Sequence, residues 1–353
     1  MRFLRSRKNQ IKLIIIFSLL TALSAACFLL FSAFGGTLQS QTAAERFKGE
    51  SELRFGQVSA CFPVSKGIRE EDVYKFRQGL EAAYMEASLE AKEGETLYTD
   101  AYSAQSEFTV YGDKGSATVT AIGIGGDFFQ FHPLVLRSGG YIAGSDLMHD
   151  GVVLDEELAW QLFGGVDLTG MTVSIGGKYY RVAGVISRED DFASSKTYTA
   201  GAGLFMAYDA LSALSGENGL EISCYELVCA DPVEGFALKV LKEKFPDAMA
   251  VQNSGRFSMG NIFGIIGDFG TRSVQTNGAV LPYWENAARM IEDYRAVFLL
   301  LAVLFAVFPA LVLIVAIWFT CRYLWRRFKK WVPEYLDRRE EEKYRNAHAG
   351  RGE

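Results

Sequence analysis

Two charge-free apolar runs, one near each end, constrain this chain more than any other feature. Leu13 to Phe34 and Ala296 to Cys321 each lack any charged residue. Both exceed the ~20 residues that take a helix across a ~30 Å hydrocarbon core. Arg2, Arg5, Arg7, Lys8 and Lys12 precede the first run, and Arg322, Arg326, Arg327, Lys329 and Lys330 follow the second. Basic residues are retained on the cytoplasmic side of a membrane. The pattern therefore predicts a basic cytoplasmic N-terminus at 1–12, transmembrane helices at 13–34 and 296–321, and a cytoplasmic basic-aromatic tail at 322–353. Residues 37–290 form an extracytoplasmic domain between the two helices. A cleaved signal peptide competes for the first run, and Leu23-Ser24-Ala25-Ala26-Cys27 has a faint likeness to a lipoprotein cleavage box. The 22-residue stretch outlasts a signal's apolar core of ~7–15 residues, and cleavage would leave Phe28 to Phe34 as an apolar end. An uncleaved anchor is the expectation.

The formal charge of −6 hides a segregation, because 20 Lys and Arg stand against 34 Asp and Glu between 37 and 290, a net of −14. Such acidity excludes nucleic acid as a partner and disfavours docking flat on anionic lipid. A solvated acidic surface accounts for it without further assumption. The 254 residues of this stretch suffice for one large domain or two modest ones. Apolar and aromatic residues run right through it, so it is not disordered.

Cys27 and Cys321 fall inside the apolar runs, and Cys61, Cys224 and Cys229 lie outside, where a disulfide is possible. Cys224 and Cys229 are five apart on an expected strand and face opposite sides, so they do not pair with each other. If a pair forms, it joins Cys61 to one of them. No CxxC or Cys/His spacing supports a zinc site.

Strands are expected at 54–63, 97–102, 107–111 and 116–124, with a turn at Gly112 to Gly115. Val73, Phe76, Leu80, Tyr84 and Leu89 recur at near-helical spacing and predict a helix over 69–91, with Glu70, Glu71 and Asp72 in its first turn. Gly151 to Leu154 reads as a short buried strand, followed by a helix that Asp155 caps and Gly164-Gly165 ends. Runs 172–175 and 178–186 flank Gly176-Gly177, a hairpin signal. Residues 187–201 look like a loop; 204–207, 221–229 and 248–252 look like strands, and a helix opens at Asp231-Pro232 and closes before Pro246. Strand-helix-strand thus occurs twice, near 54–102 and 221–252. The fold class expected is an α+β extracytoplasmic domain with ferredoxin-like strand-helix-strand units, flanked by two transmembrane helices. Residues 253–282 could be a flexible approach to the membrane or a packed loop, and 283–295 are helical and lead into the second span. Pro309 could kink that span.

A stretch between Thr120 and Arg188 carries a resemblance. Its pieces are Thr120-Ala121-Ile122-Gly123-Ile124, Gly126-Asp127-Phe128-Phe129, Leu136-Arg137-Ser138-Gly139-Gly140 and Gly151-Val152-Val153-Leu154-Asp155-Glu156-Glu157-Leu158-Ala159. Leu162-Phe163-Gly164, Asp167-Leu168-Thr169-Gly170 and Val173 to Ile186 complete it. In order and spacing these resemble the extracytoplasmic core domain of MacB/FtsX-type ABC transporter permeases. The pieces are scaffold signatures, not catalytic ones. Such permeases look like four-span proteins with three helices after the outer domain, whereas this chain shows one, lacking the last two membrane spans. The resemblance therefore implies the outer half of such a permease.

Chemistry-bearing motifs are absent. There is no GxxxxGK[ST] phosphate loop, and Gly123-Ile124-Gly125-Gly126 misses a dinucleotide fingerprint because Phe128 holds the third glycine's place. His132, His149 and His348 are scattered, with His132 expected as a structural loop residue. Glu189-Asp190-Asp191 lacks the alternating ligands of a calcium loop and reads as a solvated hairpin exit. No catalytic, cofactor-binding or metal-binding residue is nominated, no cofactor is expected, and the chain is not read as an enzyme. Arg322, Tyr323, Trp325, Arg326, Arg327, Phe328, Lys329, Lys330 and Trp331 interleave basic and aromatic side chains, as an interfacial lipid anchor does. A docking site for a cytoplasmic partner is the alternative reading of that tail. The expected function is a non-catalytic membrane component of an export or mechanotransmission system. The resemblance implies an ABC-type ATPase and further permease subunits as partners. The alternative is a free-standing, membrane-anchored ligand-binding or sensor module.

Overall fold

A computed structural model describes residues 7–34, 38–64, 66–91, 95–142, 146–198, 203–216, 219–272 and 279–349. Parts of the expected exit linker, of the 187–201 loop and of the 253–282 segment, along with Arg2, Arg5 and residues 350–353, lie outside them. The chain divides into two compact units, Ser32–Ala296 and the paired end segments Met1–Phe31 and Val297–Glu353.

The end segments hold helix α1 (Arg7–Ala33) and most of the last helix, α10 (Tyr283–Ala349). Both are long and apolar enough to cross a membrane. They touch through the Ser24 hydroxyl, which donates to the Ala302 carbonyl at 2.8 Å. The second apolar run is thus embedded in a much longer helix. That helix takes in the expected lead-in and most of the tail, and Pro309 and Pro333 lie inside it.

The central unit contains, in chain order, α2 (Ala43–Lys48), β1 (Phe55–Cys61), α3 (Glu70–Glu86), β2 (Tyr98–Tyr111), β3 (Ser116–Gly126), α4 (Phe128–Phe131) and β4 (Val135–Gly139). There follow β5 (Gly151–Asp155), α5 (Glu156–Phe163), β6 (Thr172–Ile175), β7 (Lys178–Ser187), α6 (Ser194–Thr197), β8 (Gly203–Ala207) and α7 (Tyr208–Leu214). The last are β9 (Cys224–Ala230), α8 (Phe236–Lys244), β10 (Met249–Gln252) and α9 (Met259–Arg272). One ten-stranded sheet runs β10-β1-β9-β2-β3-β8-β5-β7-β4, and β6 pairs with β2 and β7.

The two expected strand-helix-strand units, β1-α3-β2 and β9-α8-β10, interleave in the order β10-β1-β9-β2. Numbered along the chain this is 4-1-3-2, a single ferredoxin-like sheet with the rest of the domain inserted between its second and third strands. Helices α3 and α8 cover one face, where Val73, Phe76, Leu80, Tyr84 and Leu241 meet Tyr225, Leu227 and Cys229. The inserted half has its own core, in which Leu158, Leu162 and Leu211 pack on Val152, Leu154, Val182 and Met206. The opposite face of the sheet is covered by α2, α4 and the start of α10, with Ala43, Phe128, Tyr283 and Trp284 over Cys61, Cys224 and Val228.

Several expectations shift. The strands expected at 97–102 and 107–111 are one strand, β2, because small, buried Ser103 and Ala104 let its ladder with β3 run unbroken from Ala101 to Tyr111. The helix expected from Asp231 begins at Phe236. Asp231 pairs with Arg54 at 2.9 Å and still accepts from the Ala237 amide in the first turn of α8 at 3.2 Å, while Gly235 at φ +85° keeps the chain before Phe236 off the helical path. The 187–201 loop contains α6, whose first amides are accepted by Asp191 at 3.0 Å. The open segment 253–282 contains helix α9. The Asp155 cap and the hairpin at Gly176-Gly177 stand as read, with Leu158 N donating to Asp155 at 2.7 Å and β6 pairing antiparallel with β7.

Candidate functional site

Two places in the central unit gather polar groups beyond what its apolar cores require. The first is a cleft of about 760 Å³. Its walls come from the N-terminal turns of α3, the β3–α4 junction and the start of α7. Tyr102 from β2 lies across its floor, with its hydroxyl donating to Glu70. A β-carbon at Gly125 would lie 2.1 Å from Tyr102 Cζ, so only glycine lets the ring cross β3 at this point. Gly125 in the glycine-rich Gly123–Gly126 run thus serves close packing beneath the cleft.

Arg77 of α3, which also lines the cleft, forks onto buried Asp100 of β2 with two contacts of 2.7 Å, and the Tyr225 hydroxyl donates to the same carboxylate at 2.8 Å. Burial alone would lower the Arg77 guanidinium, but Asp100 more than offsets it and the group is held above its ordinary value. Burial raises the Glu70 carboxyl, the Tyr102 hydroxyl opposes that, and nearby Asp209 adds to it. His149 sits across from Asp209 at 3.2 Å. The cleft therefore presents the carboxylates of Glu70, Asp127 and Asp209 among the rings of Tyr74, Phe129 and Tyr141.

The second place is an ion network joining α9 and its flanks to the first turns of α10. Arg256 is 3 % exposed, and it forks onto Glu285 at 2.7 and 2.8 Å while its Nε donates to Glu292 at 2.6 Å. Arg272 from the end of α9 pairs with Glu292 and with Asp293, the latter at 2.8 Å. Arg289 adds a contact of 3.2 Å to Glu285, and Asn253 donates to Gln41 at 3.0 Å, which brings in the segment after α1. Burial would lower the Arg256 guanidinium, yet Glu285 and Glu292 carry it above its ordinary value. Arg295 donates to the Phe257 carbonyl at 2.7 Å, closing the network's far side. This is a latch within the central unit, in which the first turns of α10 are held to α9 and its flanks by paired buried charges.

The residues discussed from sequence fall elsewhere. His132 is buried, with Nε2 2.6 Å from Glu226 and its ring 4.5 Å from both Phe128 and Trp284, so it packs structure as expected. Glu189 is no solvated hairpin exit, since the hydroxyls of Tyr198 and Tyr283 both donate to it. Among the described residues, no group of three or more His, Cys, Asp and Glu could hold a metal ion. Sequence reasoning missed the latch, although Glu285, Arg289 and Glu292 share one helix face by their 4 and 3 spacing, a signal that was present. It also missed the cleft, whose carboxylates come from positions 70, 127 and 209, and nothing local connects them.

Against known proteins, the sequence profile described as "MacB-like periplasmic core domain" matches residues 15–233. The chain belongs to the MacB-like periplasmic core domain family. No curated protein matches the chain. Among solved structures, the periplasmic region of MacB from Actinobacillus actinomycetemcomitans is 17 % identical with a TM-score of 0.41, covering 56 % of this chain and 89 % of that one. The extracellular domain of the noncanonic ABC-type transporter YknZ from Gram-positive bacteria is 15 % identical with a TM-score of 0.37, covering 55 % and 95 %. A domain of a putative permease protein from Porphyromonas gingivalis is 15 % identical with a TM-score of 0.31, covering 55 % and 83 %.

The MacB-like pattern lies on the scaffold. Thr120–Ile124 is in β3 and Gly126–Phe129 turns into α4. Gly151–Asp155 is β5, and 172–187 is the β6–β7 hairpin. Asp155 does more than cap α5. It also accepts from Arg188 Nε at 2.9 Å and from the amide of Gly203, and burial raises its carboxyl against those bonds. The family pattern thus includes a carboxylate that ties α5, β7 and β8 together.

Proposed function

We propose that this chain is a non-catalytic membrane component related to ABC transporter permeases, working in export or mechanotransmission together with an ABC-type ATPase and further permease subunits. The observation that carries this reading is the family's core domain lying between two apolar helices, with the latch at Arg256 gripping the first turns of α10. A forked, buried ion pair resists sliding better than an apolar contact, because displacement takes both carboxylates off the cation they share. In the same reading, residues 1–12 and 322–353 are cytoplasmic, 13–34 and 296–321 span the membrane, and 37–290 form the extracytoplasmic domain. The tail's Arg322 guanidinium, 5.3 Å over the Trp318 ring, suits a lipid-interface anchor.

Two experiments test this. An impermeant thiol reagent on intact cells should label Lys114→Cys and spare Gly350→Cys, and the reverse pattern overturns the orientation. Gentle solubilisation and affinity capture with crosslinking should recover an ABC-type ATPase or permease subunit. Replacing 296–321 by polyleucine should weaken that recovery. Repeated captures without such a subunit overturn the transport reading. The cleft favours the second reading, a membrane-anchored binding or sensor module, because its acidic, aromatic lining suits a cationic amphipathic ligand. Capture of no partner together with saturable binding of such a ligand, lost on Glu70→Gln with Asp209→Asn, would select it.

A further inference from the structure

Of the three cysteines in the central unit, Cys61 ends β1 while Cys224 and Cys229 lie on β9. Cys229 is on the face covered by α3 and α8, beside Tyr84 and Leu241, so the sheet separates it from Cys61. Cys224 is on the other face with Cys61, under Ala279 and under Tyr283 and Trp284 at the start of α10. The two are direct partners in the β1–β9 ladder. The next pair along is marked as hydrogen-bonded, because the Phe62 amide donates to the Ser223 carbonyl at 2.9 Å. Antiparallel pairs alternate, so Cys61 and Cys224 form a pair without hydrogen bonds, where α-carbons approach to about 4.5 Å and side chains are closest. That spacing is within the window of about 4.4–6.8 Å that a disulfide spans. Their sulfurs are 4.0 Å apart, and both side chains are essentially without solvent contact.

We infer that Cys61 and Cys224 are joined by a disulfide in the protein's own compartment. The bond staples β1, which follows the first apolar helix, to β9 in the middle of the sheet and directly beneath the seat of α10. It closes a loop from 61 to 224 that contains the whole inserted half. Two thiols lose two electrons and two protons, which pass to the disulfide of a thiol–disulfide oxidoreductase through a mixed-disulfide intermediate. That oxidoreductase is left as a dithiol. Exchange takes place before the strands close, since the folded pair is sealed. The neighbouring Cys61 thiol, and then burial, raise the Cys224 thiol and would make it a poor nucleophile once folded. The inference rests on the outward orientation of the domain for its oxidising surroundings, and on register alone for the choice of partner.

The test is a thiol count on the full chain, which has five cysteines. Protein taken from its native membrane is denatured in excess N-ethylmaleimide and weighed intact. The expected result is three adducts before reduction and five after it, with a Cys61–Cys224 crosslinked peptide in the unreduced digest. Cys229→Ser should keep the crosslink and give two adducts. Cys61→Ser and Cys224→Ser should each give four. In a second arm, purified reduced chain is unfolded and refolded with oxidised and reduced glutathione. Five adducts in native protein overturn the inference, and formation of the Cys61–Cys224 pair on refolding would then trace the failure to the assumed oxidising surroundings rather than to the register. Five adducts in both arms, or a crosslink through Cys229, overturn the inference.

Discussion

Replacing Arg256 by methionine should loosen the packing of the first turns of α10 within the central unit. The side chain is 3 % exposed and serves two carboxylates at once. Methionine fills similar volume but leaves Glu285 and Glu292 without their shared cation. Breaking a buried pair on one side costs roughly 3–5 kcal/mol. Here each glutamate keeps one further partner, Arg289 at 3.2 Å for Glu285 and Arg272 for Glu292, and both arginines are partly exposed. That places the loss near the lower bound, about 3 kcal/mol. For a unit the size of Ser32–Ala296 this corresponds to a fall in Tm of roughly 6–12 °C. The assay is near-ultraviolet circular dichroism of full-length protein in mild detergent, which follows packed aromatics such as Trp284 rather than spanning helices. Arg256→Lys should fall between parent and methionine, since one ammonium cannot fork onto both carboxylates. Adding Glu285→Gln and Glu292→Gln to Arg256→Met should recover part of the loss, because the buried charges are then gone. A methionine variant melting within about 1 °C of the parent would refute the reasoning, for a loss near 3 kcal/mol could not hide in so small a shift.

Leu158→Asp puts a carboxylate where Leu158 is 0 % exposed among apolar side chains, and should cost upwards of about 4 kcal/mol; a parent-like melt of the variant would show α5 is not packed as described. Gly184→Val places a β-carbon 2.4 Å from the Gly140 carbonyl oxygen, so backbone must move at a cost of about 3 kcal/mol. Denaturant titration should show a lower midpoint, and an unchanged one would mean that β4 and β7 are further apart. Glu70→Gln tests the cleft by pH. The folded Glu70 carboxyl lies above its ordinary 4.5, so its penalty is absent below 4.5 and grows as pH rises through the raised value. The variant should gain on the parent from acid to neutral pH, and a constant difference across that range would mean Glu70 is solvated.

Much of the architecture is legible from local pattern. The apolar runs, the α3 periodicity as far as Tyr84, the Asp155 cap and the Gly176-Gly177 hairpin each depend on neighbours within a turn or two, and each appears in the structure, whereas Leu89 falls beyond the end of α3 at Glu86 because Ser88 turns to φ +53°. Boundaries failed where a distant partner intervened. Ser103 and Ala104 look like a break until β3 pairs with both of them.

The sequence alone determined that two apolar helices bracket an acidic α+β stretch, because hydropathy, charge asymmetry and turn residues act through local free energies of burial and backbone geometry; the MacB-like kind was legible only as a resemblance in ordered motifs. Tertiary structure alone decided the sites. It interleaved β1-α3-β2 with β9-α8-β10 into one sheet, and so set Cys61 opposite Cys224 across 162 intervening residues. It also brought Glu70 near Asp209, and Arg256 onto Glu285 and Glu292. Contacts of this kind follow from strand order and register, which are fixed by the packing of whole sheet faces. No window of a single chain segment carries that information.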